Sequence, residues 1–342
     1  MPTGTRDRFT LRDKAATLVR LAAGASFRDA SEFARQRGGY ARRGRGGALV
    51  ASRDGRLARD WVSQYAPILA EHYLPRAWPR TLVLDKLPIH VRDTSSNTPR
   101  PSGRASFFVL AALSYAGDRA VLWRVGVDKH ADQAAWERFF ALLPGEPSFI
   151  PADRDAAMLN AVAATWPQAK VYPCAHHLRA NVEAILKEGK LYDRRRALVR
   201  ALHERTFIDP DAYVAFRRLA LRYLAADLSK ASPKQQKAMV KLGRWLTNSQ
   251  NAIARSLVEK HWPVTVGAIE RPLREMKTAI YDRRANLKNL RRVEHLLLLA
   301  QLRQTGCADE RQWAALLRSN HLARDGTPPP RRQVDDPALR TK

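Results

Sequence analysis

The residues of this chain whose types and spacing could do chemistry are a few separated acids and one cysteine–histidine cluster. Asp153 and Asp155 stand in FIPADRDAAMLNAV, where an apolar run ends and a helix with Met158, Leu159, Val162 and Trp166 on one side is predicted to begin. A carboxylate at the carboxyl end of a strand, with a helix starting beneath it, can hold a divalent cation against a phosphate on fixed backbone. Asp85 ends a second apolar run in LVLDK, and Glu270 follows Ile269 on the first turns of a late helix, with Arg274 and Lys277 at helical spacing from it. Three such acids brought together would hold two divalent cations about 4 Å apart, and hard oxygen ligands select Mg2+ or Mn2+. That site suits phosphodiester chemistry and needs no covalent intermediate. Each assignment has a plainer rival. Asp153 could merely cap the helix, leaving Asp155 as the ligand. Asp93 competes with Asp85 but lies beyond Pro88, where the strand is expected to have ended. Glu259, Glu275 and Glu294 compete with Glu270.

Cys174, His176 and His177 suggest zinc at first sight. A structural zinc site needs four ligands, and Cys307 is the one other thiol, far along the chain. The expected role is packing and hydrogen bonding, with His177 near enough to the acids to touch a phosphate.

The elements that must position these residues follow from the change of hydrophobic period. TLVLDKLPIHVRD, ASFFVLAALSY and RAVLWRVGVD read as three strands, the last two joined at Gly117 and Asp118. A helix over 131–143, the strand ending at Ala152, the helix after it and a strand at 170–172 complete a mixed sheet covered on both faces. That order fits an α/β fold of ribonuclease H-like topology over 80–177, in which the first and fourth strands lie side by side and Asp85 and Asp153 face one point. Residues 178–262 read as successive helices, an all-α insertion, and 263–304 as final core helices. Ahead of the core, Leu11–Ala23 and Phe27–Arg37 form a helix-turn-helix-like pair, capped by Ser26 and carrying Arg28 and Arg35. With the basic loop that holds Arg42, Arg43 and Arg45, this makes a small DNA-binding segment over 1–50, followed by a helical linker over 51–79. The end, 305–342, is expected to hold one short helix around Trp313–Leu317 and a disordered basic tail.

Composition narrows the partner. Sixty Lys and Arg against 33 Asp and Glu give 342 residues a formal charge of +27, spread over every segment, and such an excess calls for a polyanion, double-stranded DNA above all. No apolar run approaches the roughly 18 residues of a membrane span, and the start has no signal-peptide core, so no membrane partner is expected. Two cysteines are too few for a disulfide framework, and high Ala, Arg and Asp suggest a GC-rich bacterial genome. A cytoplasmic, nucleoid-associated protein is expected.

LVLDKLPI around Asp85, FIPADRDAAMLNAVAATWPQAKVYPCAHHLRANV around Asp153, and GAIERPLREMKTAIYDRRANLKNLRRVEHLLLL around Glu270 together resemble the DDE transposases of bacterial insertion sequences, the group related to Mutator-like elements. The likeness covers about 80–304. It includes the C-x-x-H element Cys174 to His177, and Arg284, Asn286 and Asn289 ahead of an apolar helix. Gly267 stands where relatives often carry Asn, and the leading segment has no cysteine-rich zinc element. The resemblance implies Asp85, Asp153 and Glu270 as catalytic ligands of two Mg2+ or Mn2+ ions. It implies cleavage at element ends and transfer of the 3′ hydroxyl into target DNA, by a homodimer or higher oligomer on DNA. Arg271, Arg274, Lys277 and Arg284 are the nearest candidates for holding phosphates, with Lys234, Lys237, Lys241 and Arg244 gripping an end and Trp245 or Trp262 stacking on a base. Two rivals stay open: a structure-selective nuclease or resolvase on the same core, and an inactive DNA-binding regulator.

Overall fold

The computed structural model describes residues 9–38, 55–90, 107–116, 119–153, 155–193, 195–203, 205–225, 231–258, 270–281 and 289–323. Within them the chain begins with α1 (Leu11–Ala22), α2 (Phe27–Arg37) and α3 (Arg56–Tyr73). The sheet and its helices follow: β1 (Val83–Ile89), β2 (Phe107–Ala116), β3 (Arg119–Asp128), α4 (Gln133–Phe140), β4 (Phe149–Ala152), α5 (Ala156–Thr165) and β5 (Lys170–Pro173). Helices complete the chain: α6 (Ala175–Glu188), α7 (Arg196–His203), α8 (Pro210–Ala225), α9 (Pro233–Val258), α10 (Glu270–Tyr281), α11 (Leu290–Gln304) and α12 (Glu310–Ala323). No helix among the described residues is long and apolar enough to cross a membrane.

The five strands form one mixed sheet in the order β3-β2-β1-β4-β5. β1 runs antiparallel to β2, from Val83↔Leu113 to Ile89↔Phe107, and β2 antiparallel to β3. On its other edge β1 is parallel to β4 at Leu84↔Ala152, and β4 is parallel to β5 from Phe149↔Lys170 to Ala152↔Pro173. β1 continues through Pro88, past the expected stop. Its pairing with β4 is confined to Leu84, so a residue without an N–H is tolerated further along the strand.

Alternation along β1 divides the core. Leu82 and Leu84 face one side with Leu110, Ala112 and Ile150, against Trp136, Phe139 and Phe140 of α4 and Met158 and Val162 of α5. Gly126 makes that contact possible, because a Cβ there would stand 2.8 Å from the Phe139 ring. Val83 and Ile89 face the other side with Val109, Ala111, Leu113 and Val125, against α11, Leu273 and Met276 of α10, and then α1, α3 and α12. Gln301 of α11 is fully buried and donates to Leu122 O (3.1 Å) and Trp123 O (2.7 Å), where a bulge interrupts the β2–β3 ladder.

The expected linker, 51–79, thus supplies α3, which packs against α1, α2, α11 and α12. The expected short helix near Trp313 is the 14-residue α12, with Trp313 buried in the same cluster. α6 to α9 close around a separate cluster of their own, including Leu186, Leu198, Phe216, Leu242 and Ile253. α9 also packs against the edge strand β5. Gly189, after α6, is the point of closest approach, where a Cβ would stand 2.4 Å from Ala238 Cβ.

Candidate functional site

Asp85 lies one residue past Leu84 in β1, and Asp153 one residue past Ala152 at the end of β4. Because Leu84 and Ala152 are register partners in a parallel pair, the two acids occupy neighbouring places on adjacent strands. Strict alternation puts Asp85 on the side of Val83, away from Leu84. Both acids are half-buried. Burial drives the Asp85 carboxyl above its ordinary value, the charge on Asp153 adds to the rise, and His177, the Lys86 N–H (2.7 Å) and His176 oppose it.

His177 comes from α6, which starts directly after β5. The Cys174 N–H donates to Ala152 O at 2.9 Å, fixing the start of that helix beside the end of β4. Burial favours the neutral imidazole, but the Cys174 sulfur against the ring and the charges of Asp153 and Asp85 outweigh it, pushing His177 up to about 9. The ring thus favours the imidazolium form beside Asp85 and Asp153. His176 lies edge-on to it, with ring centres 5.4 Å apart. Cys174 is buried and acts as packing and hydrogen-bonding material.

The cap of α5 falls to Asp155 and not to Asp153. Asp155 is the N-cap of α5, its side chain accepting from Met158 N–H at 3.0 Å, and it also forms an ion pair with Lys86. Those bonds hold the Asp155 carboxyl below its usual range despite partial burial. Asp155 is committed to its helix and to Lys86, and Asp153 is the acid whose neighbours are Asp85 and His177.

Glu270 is the first residue of α10, one turn ahead of Leu273, and α10 packs on β1 and β3. Only its backbone place belongs to the described structure. Two rivals are engaged elsewhere. Glu275 pairs with Arg271 at 3.1 Å on the surface. Glu294 of α11 is raised by burial, an effect opposed by Arg124 of β3 and by Arg291. Glu259, Asp93, Arg42, Arg43, Arg45, Trp262, Gly267 and Arg284 lie outside the described residues.

Arg271, Arg274 and Lys277 are exposed on α10, away from its buried Leu273 and Met276. Arg28 is exposed and Arg35 half-buried on α2, which packs on α1 and α3, so these two belong to a different layer from the acids. Trp245 is half-buried among the residues of the α6–α9 cluster, 5.9 Å from the Phe207 ring, and serves as core. Tyr115 at the end of β2 escaped the sequence reading. Its hydroxyl is buried without a hydrogen-bond partner among the described residues, and burial together with nearby Cys174 pushes it up to about 12. Its place two residues after buried Leu113 on the same face was the available signal.

As a metal centre, the described residues supply one pair of carboxylates and no group of three or more His, Cys, Asp or Glu able to hold an ion. The pair fits a hard divalent cation in donor chemistry, since a half-buried carboxylate such as Asp85, raised by burial despite the Lys86 N–H and His177, gains from a cation at its oxygens, and a third acid would have to come from a neighbouring element. No protein-family model and no curated protein matches the chain.

Proposed function

We propose that this chain is a DNA transposase whose ribonuclease H-like core uses Asp85, Asp153 and Glu270. The observation that carries the reading is the Leu84↔Ala152 register, which sets two otherwise distant acids at adjacent positions on parallel strands. Three further features support it. The sheet runs β3-β2-β1-β4-β5 with an antiparallel first half and a parallel second half, α10 carries Glu270 and packs on β1, and the helices α6 to α9 come between β5 and α10 in the chain. The formal charge of +27 suits a partner made of phosphates.

On this reading the three carboxylates hold paired Mg2+ or Mn2+ ions, whose chemistry is to activate water or a 3′ hydroxyl and to neutralise charge on the leaving oxygen. Asp85 binds from within β1 and Asp153 from the end of β4, both on fixed backbone, so little reorganisation accompanies the reaction. His177 presents a cationic donor to a phosphate oxygen bound at the acids. Arg271, Arg274 and Lys277 offer further cations along α10. The working unit on two element ends is a homodimer or larger assembly.

The test uses DNA flanking the chain's own coding sequence as substrate. Wild-type protein with Mg2+ should nick the element ends and join the 3′ hydroxyl to a target plasmid. Asp153→Asn should bind that DNA nearly as well and cut none of it. Cutting without joining points to a nuclease, and binding that ignores Mg2+ with no cutting points to a regulator. Undiminished cleavage by Asp153→Asn removes the acid from the mechanism.

A further inference from the structure

α9 is 26 residues long and contains no Asp or Glu. One side of it, through Gln235, Ala238, Met239, Leu242, Leu246, Ser249, Ile253 and Leu257, is buried against the helical cluster. Lys237, Lys241, Arg244, Asn248, Asn251 and Arg255 recur at alternating steps of four and three residues, all exposed, on the side opposite that buried face. Lys234 extends the row by one turn at the amino end.

A helix surface that merely faces water tends to alternate its charges, because acid–base pairs at i,i+4 stabilise it and like charges at that spacing destabilise it. Here Lys237 and Lys241 repel, as do Lys241 and Arg244. Lys234 and Lys237 also sit near the amino end, where the helix dipole disfavours cations. One acid from outside meets the row: Glu188 of α6 pairs with Lys241 at 2.7 Å, both side chains about half exposed. A row kept basic against these local preferences is a surface shaped for an anion beyond the protein.

Its dimensions select the anion. At 1.5 Å per residue the stretch from Lys234 to Arg255 runs about 32 Å, close to one turn of B-DNA. The exposed row has no aromatic side chain on which single-stranded bases could stack, since Trp245 is packed in the cluster. The apolar side of α9 is buried, and the large apolar residues it exposes, Val240 and Val258, lie 18 positions apart and make no continuous face to sink into a lipid surface. The side chains are Lys, Arg and Asn, suited to phosphate oxygens. α9 also packs against β5, the sheet neighbour of β4, after which Asp153 follows.

We propose that the outer face of α9, centred on Lys237, Lys241, Arg244 and Arg255, binds the phosphate backbone of duplex DNA without reading its sequence. This rests on the reading of the chain as a protein that acts on DNA. The experiment measures binding of the full chain to a fluorescent 30-base-pair duplex of mixed sequence in EDTA, with salt varied. Wild type is compared with a variant carrying Lys237→Gln, Lys241→Gln, Arg244→Gln and Arg255→Gln, and with Lys237→Glu/Arg244→Glu as a second variant. Circular dichroism and melting establish that each is folded. The fourfold variant should bind at least about tenfold more weakly at 0.15 M salt, and the slope of log K against log salt should fall by about 3 to 4. The loss should be equal for an unrelated duplex. Wild type that fails to bind duplex DNA at all overturns the parent reading. Wild type that binds while both variants match its affinity and slope overturns the α9 surface alone. Tighter, α9-dependent binding to vesicles of anionic phospholipid than to duplex also overturns it, in favour of a membrane.

Discussion

Replacing Asp85 by Asn should make the protein more stable at neutral pH and abolish the strand cleavage proposed for it. Adjacent strands lie about 4.8 Å apart, so two carboxylates at neighbouring positions repel by on the order of 3 kcal/mol at an effective dielectric constant near 20. The His177 imidazolium returns part of this, leaving about 1–2 kcal/mol that a neutral side chain would relieve. Asn keeps an oxygen to accept the Lys86 N–H, now at 2.7 Å, so no new unmet donor is created. The sign follows from the direction of the shift. Asp85 has a folded-state value above its ordinary 3.8, so both states are protonated at low pH, and the charge begins to cost stability as pH rises past 3.8 toward the folded value. The advantage of Asp85→Asn therefore grows as pH rises past 3.8 and fades as pH falls toward about 4. In EDTA the melting temperature at pH 7 should rise by about 1–4 °C. Adding Mg2+ should then raise the melting temperature of wild type more than that of the variant, because the cation relieves the same repulsion. A variant that melts lower than wild type at pH 7, or one that still cuts, refutes the picture of two crowded carboxylates serving a cation.

His177, raised from 6.5 to about 9, contributes stability that is present below about 6.5 and lost as pH rises through about 9. Metal-free wild type should lose about 1–2 kcal/mol over that window once solvent screening is allowed for, and His177→Gln should flatten the profile of melting temperature against pH. Asp155→Ala removes the α5 cap and the Lys86 ion pair, which should cost about 1–2 kcal/mol in urea unfolding while cleavage at saturating DNA stays within a few-fold of wild type. Loss of cleavage in that variant, with the fold intact, would return Asp155 to the ligand set. Gln301→Leu leaves two carbonyls at the β3 bulge without their donor and should cost about 2–3 kcal/mol, read as a lowered urea midpoint.

What the sequence made legible was set by short-range physics. The apolar runs of β1, β2 and β3 alternate, and β4 stops where polar Asp153 begins, so strand ends and the acids on them could be read from local pattern. Which of Asp153 and Asp155 caps α5 could not, because either carboxylate has the right chemistry and one residue of register decides. Pro88 marks the end of β1 to within one residue: the strand runs to Ile89, paired with β2 throughout, and Asp93 lies beyond it in the chain as expected. Glu270 was legible as a helix start, and the structure adds that this helix lies on β1.

The partner of each amphipathic face is the part that local pattern leaves open, and here it changes how the ends of the chain bear on the site. In α11 every residue from His295 to Leu302 is buried, which no helix lying on a sheet with its back to water would show. Its second side is covered by α1 and α3, themselves packed on α12, and Arg37 at the end of α2 is tied to Asp13 of α1 at 3.1 Å and to Glu310 of α12. The leading helices are thus one packed layer with the last two, continuous with the sheet face that carries Asp85.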